Sequence, residues 1–208
     1  LPSMLDYCAE CGLSFTRELD ETRFRDKIAK NGRIEFAKGY MVDRYNFCGD
    51  GLFINEEIVS PPPSAFCPKL VWRDVSRDSQ LRRVKATLLP PGFICGNSLG
   101  VIICQEENFP RLKMLLVIMN SMIFEYQARS MLVSNHVSAG IVKQIHVPIP
   151  DVDSKVIEMV DRQLNGENVE LSLELMAAKL YGIAPRDYQV IVESFALNPE
   201  VRDQLIRT

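Results

Sequence analysis

Histidine and tryptophan are scarce: two of the former and one of the latter in 208 residues. Catalysis built on His136 or His146 would want a nearby Cys or Ser nucleophile and an orienting acid, and no such arrangement is legible. Long apolar runs are missing too. The longest, residues 114–119, falls far short of the roughly 20 residues that a membrane-spanning helix needs. The first residues show no basic segment followed by an apolar one, so no secretory signal is expected. The start at Leu1 is compatible with a fragment of a longer chain. The six cysteines lack the rhythm of a disulfide-stapled secreted domain, which points to a reducing, cytoplasmic setting. Cys8 and Cys11 could supply half of a zinc site. Cys48 and Cys67 are too widely spaced to complete one, and buried small hydrophobes are the simpler reading. Glu35-Phe36-Ala37-Lys38 has one residue too many for the Glu-x-Lys of a common nuclease core.

An overall excess of basic residues is lacking as well. The net charge is −3, which taken alone argues against a nucleic-acid partner. The distribution of charge points the other way. Residues 151–208 carry eleven acidic and six basic side chains, net −5, whereas residues 1–150 carry sixteen and eighteen, net +2. Within the latter, residues 69–90 hold six cations against Asp74 and Asp78, net +4. Local basic charge suits a domain that reads a groove while a larger partner supplies most phosphate contacts.

What the sequence does have is pattern, and residues 109–150 organise the rest. Pro110 suits the first turn of a helix, where its missing N–H has no partner to lose. Leu112, Leu115, Leu116, Met119, Met122, Ile123 and Tyr126 recur at helical spacing, predicting a single helix over residues 110–131 with a broad buried face. A polar loop follows, then a short strand stopped by Pro148 and Pro150. Upstream, residues 33–45 read as two strands around Lys38-Gly39, residues 52–59 as another, and Pro61-Pro62-Pro63 as a stiff spacer. Residues 69–77 alternate, with Leu70 and Trp72 on one face and Val71 and Arg73 on the other. Residues 82–88 repeat the alternation. Apolar strands at 93–95 and 99–104 flank Gly96-Asn97-Ser98. Residues 3–11 and 24–30 are expected to be helical, and residues 151–208 read as short helices divided by glycine and proline. The expected fold class is α+β: a mixed or antiparallel sheet with packed helices, then a small helical appendage. The expected division is a helical connector (1–32), a sheet-bearing domain (33–150) and the appendage (151–208).

Met119-Asn120-Ser121, Tyr126, Arg129, Gly140 and Val147-Pro148-Ile149-Pro150 together resemble the target-recognition (specificity) domain of adenine-specific DNA methyltransferases, including the methyltransferase half of type II restriction–modification enzymes. Arg17-Glu18-Leu19-Asp20, followed by Thr22 and Arg23, resembles a phrase found just ahead of such domains, with Asp20 where Asn is usual. The order of the segments from Lys69-Leu70-Val71-Trp72-Arg73 onward is similar too, so the resemblance covers most of residues 15–150. It implies double-stranded DNA as ligand. It also implies a methyltransferase catalytic domain in the same parent protein, holding S-adenosylmethionine, and a nuclease domain where the parent is a restriction enzyme. This chain itself lacks the cofactor-binding glycine phrase and the Asn/Asp-Pro-Pro-Tyr/Phe loop that receives a flipped adenine. Leu89-Pro90-Pro91-Gly92 has neither the leading amide or carboxylate nor the aromatic, and Cys95-Gly96-Asn97 is no cofactor fingerprint. No catalytic residue and no metal ligand is therefore assigned.

As a DNA reader the chain offers Arg73 and Arg77 for base edges, four apart on one expected strand face, because the arginine fork suits guanine. Arg82, Arg83 and Lys85 are expected to contact phosphates. Asn97, Ser98, Ser134, Asn135, His136 and Ser138 supply loop donors and acceptors at the scale of base edges. The alternative is a non-catalytic protein-interaction or scaffold domain of a larger complex, which the acidic tail would suit. Salt-dependent DNA binding separates the two.

Overall fold

The computed structural model describes residues 1–55 and 59–207. In chain order its elements are α1 (Met4–Glu10), β1 (Leu13–Thr16), β2 (Ile28–Ala29), β3 (Glu35–Ala37), β4 (Val42–Asp43), β5 (Asn46–Phe47), β6 (Phe53–Ile54), β7 (Lys69–Arg73), β8 (Ala86–Leu89), β9 (Phe93–Cys95) and β10 (Leu99–Cys104). The helices α2 (Phe109–Met119), α3 (Met122–Met131), α4 (Ala139–Val142), α5 (Ser154–Leu164), α6 (Glu170–Tyr181), α7 (Pro185–Glu193) and α8 (Pro199–Arg207) follow. This is an α+β fold, as the alternating patterns predict. None of the helices described is long and apolar enough to cross a membrane.

β1, β10, β7 and β8 form an antiparallel sheet in that order. Its two faces pack differently. Leu70, Trp72 and Ile102 meet α1 and α2 on one side. Val71, Leu89 and Val101 meet Ala37, Phe93 and Cys95 of a second sheet on the other. That second sheet runs β2-β6-β3-β9, with β3 and β9 parallel. Burial on both faces explains why β7 hides four of its five residues. One of them is Lys69, whose ammonium donates to Glu18 at 2.7 Å and to the Phe93 carbonyl at 2.7 Å. Glu18 also accepts the Cys95 N–H at 2.6 Å. A buried charge survives only when paired and hydrogen-bonded, and this pair meets both conditions while joining the two sheets.

The expected helix over residues 110–131 is two helices. The break lies at Asn120-Ser121, where side chains replace helical backbone bonds. Asn120 Oδ1 accepts the Ala86 N–H at 3.1 Å and its Nδ2 donates to the Ala86 carbonyl at 3.0 Å, so the amide pairs with β8 as a strand would. Ser121 caps α3 by accepting the Phe124 N–H at 3.1 Å. Tyr126, expected on the buried face, turns outward. The strand expected before Pro148 reduces to one bridge between Ser3 and His146. It is flanked by Met4 N–H to Ile145 O (2.7 Å) and Val147 N–H to Pro2 O (3.0 Å).

Residues 1–32 are not a helical connector. β1 is an edge strand of the main sheet, and the stretch expected to be helical at 24–30 is a 3₁₀ turn followed by β2. Between β3 and β4 lies a 3₁₀ turn, Gly39–Met41, and Pro63 opens another rather than a spacer. Of the strand expected at 52–59, β6 is the part found among the described residues; residues 56–58 of that expectation lie outside them. The C-terminal helices dock directly on this unit. α5 and α6 pack on α2, and α7 packs on α3. Nearly buried Glu174 of α6 accepts the Met122 N–H at the start of α3 at 2.8 Å.

Candidate nucleic-acid interface

A cleft of about 520 Å³ opens where β1 ends and β10 begins. Thr16, Arg17, Glu21 and Thr22 form one wall. Asn97 and Ser98 enter from the turn before β10, and Asp74, His136 and Ser138 from the opposite side. Four separate stretches of chain therefore meet there.

Each wall is fixed by backbone bonds. Beyond β7 the chain continues as a partner to the loop at 134–138: Val137 N–H donates to Asp74 O at 2.7 Å, and Ser76 N–H to Asn135 O at 2.8 Å. Trp72 Nε1 donates to Val137 O at 2.8 Å. The opposite wall hangs on Glu21. Its carboxylate accepts from the Ser98 N–H at 3.1 Å and from the Ser98 hydroxyl, and its own N–H donates to Asn97 Oδ1 at 3.2 Å. Gly96 lies flat against Glu21, where a Cβ would overlap the carboxylate. Asn97 therefore spends its carbonyl inside the fold, and its Nδ2 is the donor left for the cleft.

His136 Nδ1 lies 2.9 Å from Asp74 Oδ2. A carboxylate only accepts, so Nδ1 carries the hydrogen in that bond, and Nε2 is the ring's remaining polar atom. The cleft thus combines donors (Arg17, Asn97 Nδ2) with acceptors (the carboxylates of Glu21 and Asp74) and hydroxyls that serve as either. Such groups match the edges of bases: carboxylates accept exocyclic amino groups, and amides and guanidinium groups complement purine edges.

The expected contact residues divide sharply. Asn97, Ser98, His136 and Ser138 line the cleft, with exposed Ser134 and Asn135 on the same loop. The cations expected to hold phosphates are used internally. Arg82 donates to the Asn120 carbonyl and lies 3.8 Å from Glu174. Arg83, 4% exposed, reaches Asp78 at 2.6 Å and the carbonyls of Ser76 (3.1 Å) and Ser134 (2.5 Å). Lys85 pairs with Asp43 at 2.9 Å. Burial pushes the Arg82 guanidinium below its ordinary range, and Arg44 beside it adds to that. All three were expected to be free for phosphates and instead have partners inside the fold: Glu174 and Asp43 lie far along the chain from Arg82 and Lys85, whereas Asp78 is only five residues from Arg83. Arg73 and Arg77 do not share a strand face either. β7 ends at Arg73, and Arg77 stands exposed at the start of a turn, its carbonyl accepting from Gln80 N–H at 3.0 Å. Arg17, Glu21, Thr22 and Asp74 were missed as cleft residues. The only local signal was the Arg17-to-Arg23 phrase.

Among the described residues no group of three or more His, Cys, Asp or Glu side chains could hold a metal ion. Burial, with Cys11 beside it, pushes the Cys8 thiol up to about 12, so it stays protonated as a small hydrophobe would. Comparison with known proteins found no family model and no curated protein that matches this chain.

Proposed function

We propose that this chain is the target-recognition module of an adenine-specific DNA methyltransferase or type II restriction–modification enzyme. It would position a short site in double-stranded DNA for methylation by a catalytic domain outside this chain. The observation that carries the reading is the convergence of Arg17, Asn97, Ser98, His136 and Ser138 in one cleft. They sit on loops held by a sheet buried on both faces, the arrangement that lets loops recognise while a scaffold stays rigid. The motif resemblance supplies the reaction class. S-adenosylmethionine would be bound in the catalytic domain and would supply the methyl group. The residues described here contribute by gripping and orienting the duplex, in the cytoplasm, where host DNA is accessible.

The test is binding of the full chain to a randomised duplex pool, with selection and sequencing of the bound fraction. An enriched sequence is expected. Asn97→Ala with His136→Ala should weaken the enriched site by about tenfold, since each offers one free polar atom and a single hydrogen bond contributes roughly 0.5–1.5 kcal/mol. A chain that binds no duplex even at low salt refutes the reading and favours the scaffold alternative.

A further inference from the structure

We infer that residues 17–33 form a binding track for nucleic-acid phosphates alongside the cleft, the role that residues 82–85 do not fill. The inference rests on the DNA-binding reading above and adds where the backbone of the duplex is held. In sequence this segment carries six cations (Arg17, Arg23, Arg25, Lys27, Lys30 and Arg33) against Glu18, Asp20, Glu21 and Asp26, a net of only +2. The fold sorts these charges. Glu18 is turned fully inward onto Lys69 and the Cys95 N–H. Glu21 is turned onto Ser98. Asp26 is matched by Lys27 at 2.9 Å. Asp20 spends a carboxylate oxygen on the N–H groups of Thr22 (2.9 Å) and Arg23 (3.1 Å).

Arg17, Arg23, Arg25, Lys30 and Arg33 are all exposed. Among the described residues none of them has an ion-pair partner. Within residues 17–33 these five exposed cations are thus set against one acid, Asp20, that is turned neither into the fold nor onto a cation. Every cation that pairs across residues 69–85 shows the opposite behaviour, its charge consumed by Glu18, Glu174, Asp78 or Asp43.

The track is on an ordered frame, and it is continuous with the cleft through Arg17 and Thr22. Leu19 is buried and bridges to Gly96. Phe24 N–H donates to Asp20 O at 3.1 Å, and β2 is paired to β6. The Arg23 guanidinium lies over the Phe24 ring at 5.4 Å, which limits its freedom before any ligand arrives. Cations fixed in advance lose less entropy on binding a phosphate chain. An anionic membrane surface would attract the same charges, but a peripheral membrane site also inserts apolar side chains. The exposed large apolar residues, Tyr40 and Phe66 among them, all lie outside residues 17–33. A nucleic-acid backbone fits better.

The experiment compares the full chain with Arg23→Gln/Arg25→Gln/Lys30→Gln and with a control, Lys155→Gln/Lys179→Gln/Arg186→Gln, which removes the same charge from the C-terminal helices. Binding to the enriched duplex, to random duplex and to phosphatidylserine vesicles is measured from 50 to 300 mM salt. Removing one cation that neutralises a phosphate should lower the slope of log affinity against log salt by about 0.9. The track variant is therefore expected to fall by about 2–3 in slope for both duplexes, with sequence discrimination intact, while the control stays near the wild type. Equal effects of track and control variants overturn the track, and loss of discrimination in the cleft variants alone would still uphold the recognition reading. Wild-type binding to vesicles but not to duplex overturns both.

Discussion

Asn120→Ala separates a structural from a DNA-contacting role for the Met119-Asn120-Ser121 phrase on which the family resemblance partly rests. The side chain is fully buried and makes a bidentate pair with Ala86, itself fully buried. The two halves of that pair are unequal. The Ala86 carbonyl also accepts from Tyr45 N–H at 2.9 Å, so it keeps one partner after truncation. Its loss is an ordinary hydrogen bond, about 0.5–1.5 kcal/mol. The Ala86 N–H is left without its Asn120 partner in a dry interior, at about 1–3 kcal/mol. The expected cost is about 1.5–4.5 kcal/mol. With a urea m-value of about 2–3 kcal/mol per M, the unfolding midpoint followed by circular dichroism should fall by about 0.5–2 M, with m unchanged. Asn120→Asp keeps the shape and the acceptor but loses the donor, so it should be destabilised as well. At temperatures where both variants stay folded, duplex binding should match the wild type. A midpoint shift under about 0.2 M, or normal stability with lost DNA binding, would refute the reasoning.

Gly100→Ala places a Cβ into the Trp72 ring across the strand pair. Overpacking of roughly 1–3 kcal/mol, plus a weakened bond to Val137, should lower the melting temperature by about 5–10 °C; an unchanged value would show that Trp72 has room to move. Arg83→Ala removes the link between Ser76 O and Ser134 O. Amide exchange at residues 134–137 should accelerate at least tenfold, and unchanged protection there would contradict its role in holding the cleft loop. Burial pushes the pKa of Tyr7, Tyr45 and Tyr188 above the ordinary phenol range, and lifts that of the Cys104 thiol to about 11. A group whose folded value is raised contributes stability that is whole below its unfolded value and is lost as pH rises. The urea midpoint should therefore hold up to about pH 9 and fall beyond it, with these tyrosines ionising at 295 nm only as the chain unfolds; tyrosine ionisation in advance of unfolding would contradict their burial.

What was legible in the sequence follows the range of each interaction. Asp153 caps α5 through the N–H of Lys155, two residues away, and Gly182 ends α6 in the left-handed conformation that glycine favours. Both causes lie within two residues of the helix end, the range that a sequence pattern covers. The break at Asn120 was not, since the apolar spacing continues on both sides and the amide's partner is 34 residues upstream. The same holds for charge. Lys69 reads as a cation, but only the fold reveals Glu18, 51 positions away, as its mate. Asn97 and His136 lie in short polar loops between paired segments, so their accessibility was legible, whereas the chain segments that meet them, Arg17 to Thr22 and Asp74, were not.

The edge position of β1 sets the order in which the molecule can be completed during synthesis. Among the described strands its partner in the sheet is β10, residue 13 pairing with residue 104, and residues 2–4 close against 145–147. At about 5–20 residues per second, the leading strand waits on the order of ten seconds for the chain that covers it. Through that interval Leu13 and Phe15 lack the neighbours that shield them in the finished sheet. A nascent chain halted before β10 should therefore be cut by protease within its first sixteen residues, and one halted beyond residue 150 should be protected there.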